Sequence, residues 1–195
     1  MKFSTSTVAA ASLAVTAALP QSTPAPKPVV GDIFSVMAIR SGAPFHLGSI
    51  QAAQRGFRIG GPAQGAFCDR DNINYASFQL TNEGELYLNT DNPPQRAFVD
   101  RSGMGQGVFK YTTGAQDIGR NQERGPFTVD DDHNLVFVNA NGATTGFQAC
   151  PIGNDGGYSV WLDTGVLSPG GNSNCTGFIA RAIKEDNPVK CQYTQ

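Results

Sequence analysis

The chain has 195 residues, with 14 Lys plus Arg against 16 Asp plus Glu, for a formal net charge of −2. That balance gives no electrostatic case for nucleic acid or an anionic membrane surface as a partner. Gly at 23 and Pro at 12, without long charged helical stretches, favour strands joined by many turns, so an all-β fold in a single compact domain is expected.

The chain opens "MKFSTSTVAAASLAVTAALPQ", with one charge, Lys2, ahead of a small-residue apolar run from Val8 to Leu19. This run suits a signal-peptide core and falls short of the ~20 residues that a membrane span needs. Residues 1–18 therefore read as a signal peptide cut after Ala17 or Ala18. The polar ending "NPVKCQYTQ" carries no stop-transfer or glycolipid-anchor pattern, so a secreted protein with no membrane partner is expected. Residues 19–31, with four prolines in "PQSTPAPKPVVG", read as an exposed, extended tether, and residues 32–195 as the domain.

Within the domain, "DIFSVMAIRSGAPFHLGSIQAAQRGFRI" predicts a strand, a Ser-Gly-Ala-Pro turn and a segment at "IQAAQ" that fits a strand or one helical turn. Further on, "FQLTNEGELYL" (78–88) and "FTVDDDHNLVF" (127–137) align without a gap: Phe78 with Phe127, Leu80 with Val129, Leu86 with Leu135, Leu88 with Phe137. Alternating apolar residues around a polar turn make both of them hairpins. "FSV" at 34–36 and "YSVWLD" at 158–163 echo their opening. Such repetition predicts a β-trefoil-like barrel closed from repeated hairpins, with a β-sandwich as the alternative.

"SGMGQG" (102–107) has the glycine density of a phosphate loop. Val108 stands where a dinucleotide fingerprint needs its last glycine, "VFKYTT" prefers strand where a helix should start, and no Gly-Lys-Ser/Thr is present. Strand, glycine loop and strand is the better reading. Two histidines, His46 and His133, leave little for a triad or a metal site, and Asp130, Asp131 and Asp132 read as a solvated hairpin tip. Glu83 and Glu85 form the nearest carboxylate pair for glycoside hydrolysis, but they fall in a turn where both would simply ionise. Trp161 reads as a core residue rather than a sugar platform. No catalytic residue, cofactor or metal is expected, and the protein is expected to be a monomer.

Cys68, Cys150, Cys175 and Cys191 are an even set in an oxidising compartment and predict two disulfides. Three pairings are possible, and spacing does not choose among them. Asn174-Cys175-Thr176 is an N-glycosylation sequon.

"FVDRSGMGQGVFKYTTGAQ" (98–116), "NQERGPFTVDDDHNLVF", "ACP" at 149–151, "PGGNSNC" at 169–175 and the closing "ARAIKEDNPVKCQYTQ" together resemble the PhiA family of fungal cell wall proteins. The resemblance runs from about Ile33 through most of the mature chain. It implies a secreted, wall-associated, non-enzymatic protein that serves phialide and conidium formation and stress protection, with fungal cell wall components as partners. The Pro-rich stretch departs from the family's short processed N-terminus. An alternative follows from secreted trefoil-like inhibitors: an effector that inserts a glycine loop, 102–107 or 169–174, into host papain-like cysteine proteases.

Overall fold

Alternation sets the first strand. In β1, Ile33–Ile39, the side chains of Phe34, Val36 and Ala38 are buried and those between them are partly exposed, as a half-buried strand requires. The structure, a computed structural model, describes residues 1–2, 25–153 and 157–195; most of the expected signal peptide and the first part of the tether lie outside the described residues.

Short strands follow: β2 Ile50–Ala53, β3 Gly56–Ile59, β4 Phe67–Cys68, β5 Ser77–Leu80, β6 Leu86–Leu88, β7 Gln95–Asp100, β8 Val108–Thr113 and β9 Gln122–Glu123. The second half holds β10 Phe127–Val129, β11 Leu135–Val138, β12 Thr144–Thr145, β13 Phe147–Ile152, β14 Gly157–Leu162, β15 Thr176–Lys184 and β16 Cys191–Gln192. The ambiguous "IQAAQ" segment is strand, because all of β2 is buried and pairs with β3.

The strands close on themselves. From β3 the ladder passes through β14, β13, β15, β1, β5, β6, β7 and β8 and returns to β3, a nine-strand circuit. The closing seam joins the two ends of the domain: β1 pairs antiparallel with β15 over six positions, from Phe34↔Lys184 to Ile39↔Ile179. This is the expected closed barrel of hairpins, not a sandwich of two sheets.

The two aligned hairpins are equivalent down to register, Phe78↔Leu88 and Leu80↔Leu86 in one, Phe127↔Phe137 and Val129↔Leu135 in the other. Their turns match too. Thr81 N–H donates to Glu85 O at 3.0 Å and Gly84 N–H to Thr81 O at 3.1 Å; Asp130 N–H donates to Asn134 O at 2.9 Å and His133 N–H to Asp130 O at 3.0 Å. The turn demands a left-handed residue, which is Gly84 in the first copy and His133, at φ +61°, in the second. Their stations differ, since β5–β6 belongs to the barrel wall while β10–β11 forms a separate three-stranded sheet with β12.

Phenylalanine fills the interior. Phe57 and Phe109 stack with centroids 4.2 Å apart, Phe109 meets Phe147 at 5.1 Å and Phe127 at 5.8 Å, and Phe127 meets Phe137 edge-on at 5.2 Å. Phe109 thus joins the barrel to the separate sheet through contacts that aromatic pairs favour.

The C-terminal segment is the last piece of the core, with Val189, Cys191 and Tyr193 buried. Gln95, fully buried, holds it by acting as a strand partner made from a side chain. Its Nε2 donates to Tyr193 O at 2.9 Å and to Thr113 Oγ1 at 3.1 Å, and its Oε1 accepts the Tyr193 N–H at 2.9 Å. Ser77 N–H donates to the Tyr193 hydroxyl at 3.0 Å, and the Tyr111 hydroxyl donates to Thr194 O. At the other end, within the tether expected over residues 19–31, the described part is held to the domain. Pro28 is buried, Gly31 N–H donates to Leu80 O at 3.1 Å, and Lys27 pairs with Asp131 at 2.9 Å.

The cysteines pair as Cys68–Cys191 and Cys150–Cys175, and no free thiol remains. Their sequence separations are 123 and 25 residues. Chain entropy then assigns about 5 kcal/mol to the first bridge and about 3.5 kcal/mol to the second. Urea unfolding is expected to show a larger loss for the Cys68→Ala/Cys191→Ala pair than for Cys150→Ala/Cys175→Ala; the reverse order would show that the C-terminal segment holds without its bridge.

Candidate functional site

The glycine loop between β7 and β8 is organised by Asp100. Its Oδ1 accepts from Ser102 N–H at 3.0 Å and from the Ser102 hydroxyl at 2.6 Å, and Ser102 Oγ in turn accepts the Gly105 N–H at 3.1 Å. Gly107 N–H donates to Asp100 O at 2.8 Å. The amides of Ser102, Gly105, Gln106 and Gly107, which a phosphate loop would aim at its ligand, are spent inside this loop. Two of its glycines are required by space: a Cβ on Gly105 would lie 2.2 Å from Asp100 Cγ, and one on Gly107, at φ +98°, 2.2 Å from Leu162 O. Gly103 has open space around it.

The second glycine-rich stretch meets the first. Gly170, in a short 3-10 turn over Pro169–Gly171, donates its N–H to Gln106 Oε1 at 2.8 Å, and the Thr164 hydroxyl donates to Gln106 O at 3.3 Å. The two loops singled out from sequence thus form one face, and Met104 and Leu167, 94% and 86% exposed, project from it. Beneath lies Trp161, which corrects its expected place in the core. Alternation along β14 sends Val160 and Leu162 inward and leaves Trp161 half-buried on the outer side. Its indole N–H donates to Ser159 Oγ at 2.9 Å, and Gly170 passes so close that a Cβ there would stand 2.7 Å from the ring. The platform is covered by the loop, so no open indole faces solvent at Gly170.

The remaining candidates serve turns. His46 Nδ1 accepts the Arg40 N–H at 3.1 Å, and Asp130 Oδ1 accepts the Asn134 N–H at 2.7 Å. Among the described residues no group of three or more His, Cys, Asp and Glu side chains could hold a metal. Glu85 stands 3.9 Å from Arg96 at a hairpin end, and Glu83 is exposed. Asn174 is exposed at φ +58°, next to the bridged Cys175.

Three perturbed groups stand at or against the C-terminal segment. Burial raises the Glu185 carboxyl above its ordinary value of 4.5, against the opposing Ser77 hydrogen bond, the Val189 amide and the charge of Arg70. Its Oε1 accepts from Ser77 Oγ at 2.8 Å, while Oε2 is buried without a partner among the described residues. Burial also raises Tyr193, and it pushes Tyr111 up to about 12. These groups fasten the chain end.

One turn carries no sequence signal. Between β2 and β3, Gln54 and Arg55 adopt φ +52° and +61°, where such two-residue hairpins favour Asn-Gly. Their strain, about 1–2 kcal/mol per residue, is offset by hydrogen bonds to the chain end. Gln54 N–H donates to Thr194 Oγ1 at 3.0 Å, Arg55 N–H to Thr194 O at 3.2 Å, and Tyr111 N–H to Arg55 O at 3.0 Å.

Comparison with known proteins adds three observations. The family described as PhiA-like secreted protein matches residues 34–194. The cell wall protein phiA of Emericella nidulans is 41% identical over 191 residues, covering 97% of this chain and 98% of that one. The cell wall proteins phiA of Aspergillus fumigatus and Aspergillus niger are 40% and 38% identical, over 94% and 88% of this chain and 96% and 90% of theirs. No solved structure matches.

The loop geometry predicts that Gly107→Ala lowers stability by about 2–4 kcal/mol, through the clash and the positive φ, while Gly103→Ala stays within about 0.5 kcal/mol. Chemical denaturation of the two variants checks this. For Glu185, the folded pKa lies above the unfolded one, so below 4.5 both states are protonated and there is no penalty. As pH rises from 4.5 through the folded pKa, stability falls. A series of thermal melts across that range should show this slope, and Glu185→Gln should flatten it.

Proposed function

Since the chain belongs to the PhiA-like secreted protein family, we propose that this secreted cell wall protein acts without catalysis in asexual development, in the formation of phialides and conidia, and in protection of the wall under stress. The observation that carries the reading is the nearly end-to-end likeness to proteins named as cell wall protein phiA. The architecture is in keeping with it. A closed barrel with two disulfides suits a protein that must persist outside the cell, where no chaperone repairs it. The carboxylates and histidines weighed as catalysts are occupied in turns or exposed singly. Its partners are proposed to be wall components, and Asn174 is proposed to accept an N-linked glycan at an exposed site on the domain.

One observation favours a second reading. The two glycine loops share a face with Met104 and Leu167 projecting from it, which is a shape that could enter the cleft of a papain-like protease.

The test is partition of the purified secreted protein between isolated hyphal walls and buffer, followed by washes with salt, detergent and reductant. Retention through the salt wash is expected, with no added release by reductant because all four cysteines are paired internally. A protein that stays in the supernatant and inhibits papain stoichiometrically would establish the second reading. Deletion of the gene is expected to reduce conidiation.

A further inference from the structure

A groove of about 480 Å³ lies on the outer wall of the barrel across β7 and β8. Its volume is within the range of small-molecule sites. Phe98 and Val108 form its floor, and the paired positions Phe98↔Lys110 and Asp100↔Val108 set polar side chains beside apolar ones. Three segments distant in sequence wall it in: the glycine loop at Met104 and Gly105, the strained turn at Gln54 and Arg55, and the connection from Asp117 to Gln122. Three of the non-glycine residues with positive φ, Gln54, Arg55 and Gln106, belong to this rim or its loop, and such strained residues gather where a binding surface is held in shape.

Asp100, Arg55 and Thr112 spend their polar groups within the fold, but other polar groups that face the groove do not. Lys110 and Asp117 have no hydrogen bond or ion pair among the described residues, and neither does the side-chain amide of Gln54. Gln122 spends only its Oε1, which accepts the Gly119 N–H at 2.7 Å. Both donors and acceptors are therefore available over an apolar floor. Charge is balanced, with Arg55 and Lys110 against Asp100 and Asp117, so a polyanion or a polycation gains nothing here. A ligand that suits this arrangement is uncharged, has an apolar face, and carries groups that both donate and accept, as sugar hydroxyls do.

We infer that this groove binds a neutral hexose chain and is the protein's contact with wall polysaccharide, an inference that rests on the wall reading above. Hydroxyls on one edge of the chain bond to Lys110 and the amide of Gln54, and Asp117 and the amide of Gln122 take those on the other. The C–H face of a ring lies on Phe98 and Val108.

The experiment measures calorimetric binding of the purified secreted protein to two soluble probes, the hexasaccharides of β-1,3-linked glucose and of β-1,4-linked N-acetylglucosamine, beside its retention on isolated walls. At least one probe is expected to bind and thereby name the polymer. The double variant Lys110→Ala/Asp117→Ala should bind it at least tenfold more weakly, with an unchanged unfolding midpoint. Lys27→Ala, whose partner Asp131 stands at the β10–β11 turn, should bind as the parent does. If neither hexasaccharide binds, or if the double variant binds like the parent, the groove inference is overturned, while retention on walls would still uphold the wall reading. Saturable binding of papain that the same two substitutions abolish would overturn it as well. Failure of the parent protein to stay on walls would remove both.

Discussion

Everything in this domain depends on the seam between its first and last long strands. Six residue pairs join β1 to β15, and there the sheet that grows through β5, β6, β7 and β8 meets the one that grows through β13 and β14, as it does again on the far side where β8 and β3 pair with β14. Without the seam both strands would be open edges with unpaired amides and carbonyls, and the phenylalanine interior would lose a wall. The seam also fixes where the remaining chain can go, because the residues after β15 must return across buried surface. The Gln95 amide and the Cys68–Cys191 bridge hold that return in place.

The chain end in turn shapes the surface. Thr194 receives the amides of Gln54 and Arg55, which keeps a turn of two left-handed non-glycine residues in place, and that turn forms one rim of the groove on the outer wall. The opposite rim is the glycine loop, whose own shape comes from Asp100 and Ser102 and whose far side is fastened to Gly170 through Gln106. Local strain on the surface is thus carried by hydrogen bonds that originate in the closed core. A wall protein built this way presents a fixed surface.

Some features were legible because their causes are local. Alternation over a few residues announced both hairpins, and their matching length announced their equivalence. The register and the turn hydrogen bonds agree with that reading in both copies. The glycine loop was legible as a strand-to-strand connection for the same reason, since Val108 and the β-branched run after it exclude a helix start. The groove was not legible. Gln54, Lys110, Asp117 and Gln122 form no motif, and Gln-Arg is a pair that turn chemistry does not predict at two left-handed positions.

By itself, then, the sequence determined an exported-looking all-β chain, its repeated hairpins, its even set of cysteines and its family resemblance, all of which rest on composition, short-range periodicity or ordered blocks of residues. Only the tertiary structure decided which cysteines pair, because three pairings fit the spacing and closure alone brings Cys191 to Cys68. It also decided that the two hairpins occupy different sheets, that Trp161 faces outward beneath Gly170, and that Gln95 clasps a residue 98 positions away. The cysteine pairing and the Gln95 clasp depend on closure of the barrel, and a pairing between the two ends of a domain leaves no trace in any window of a few residues.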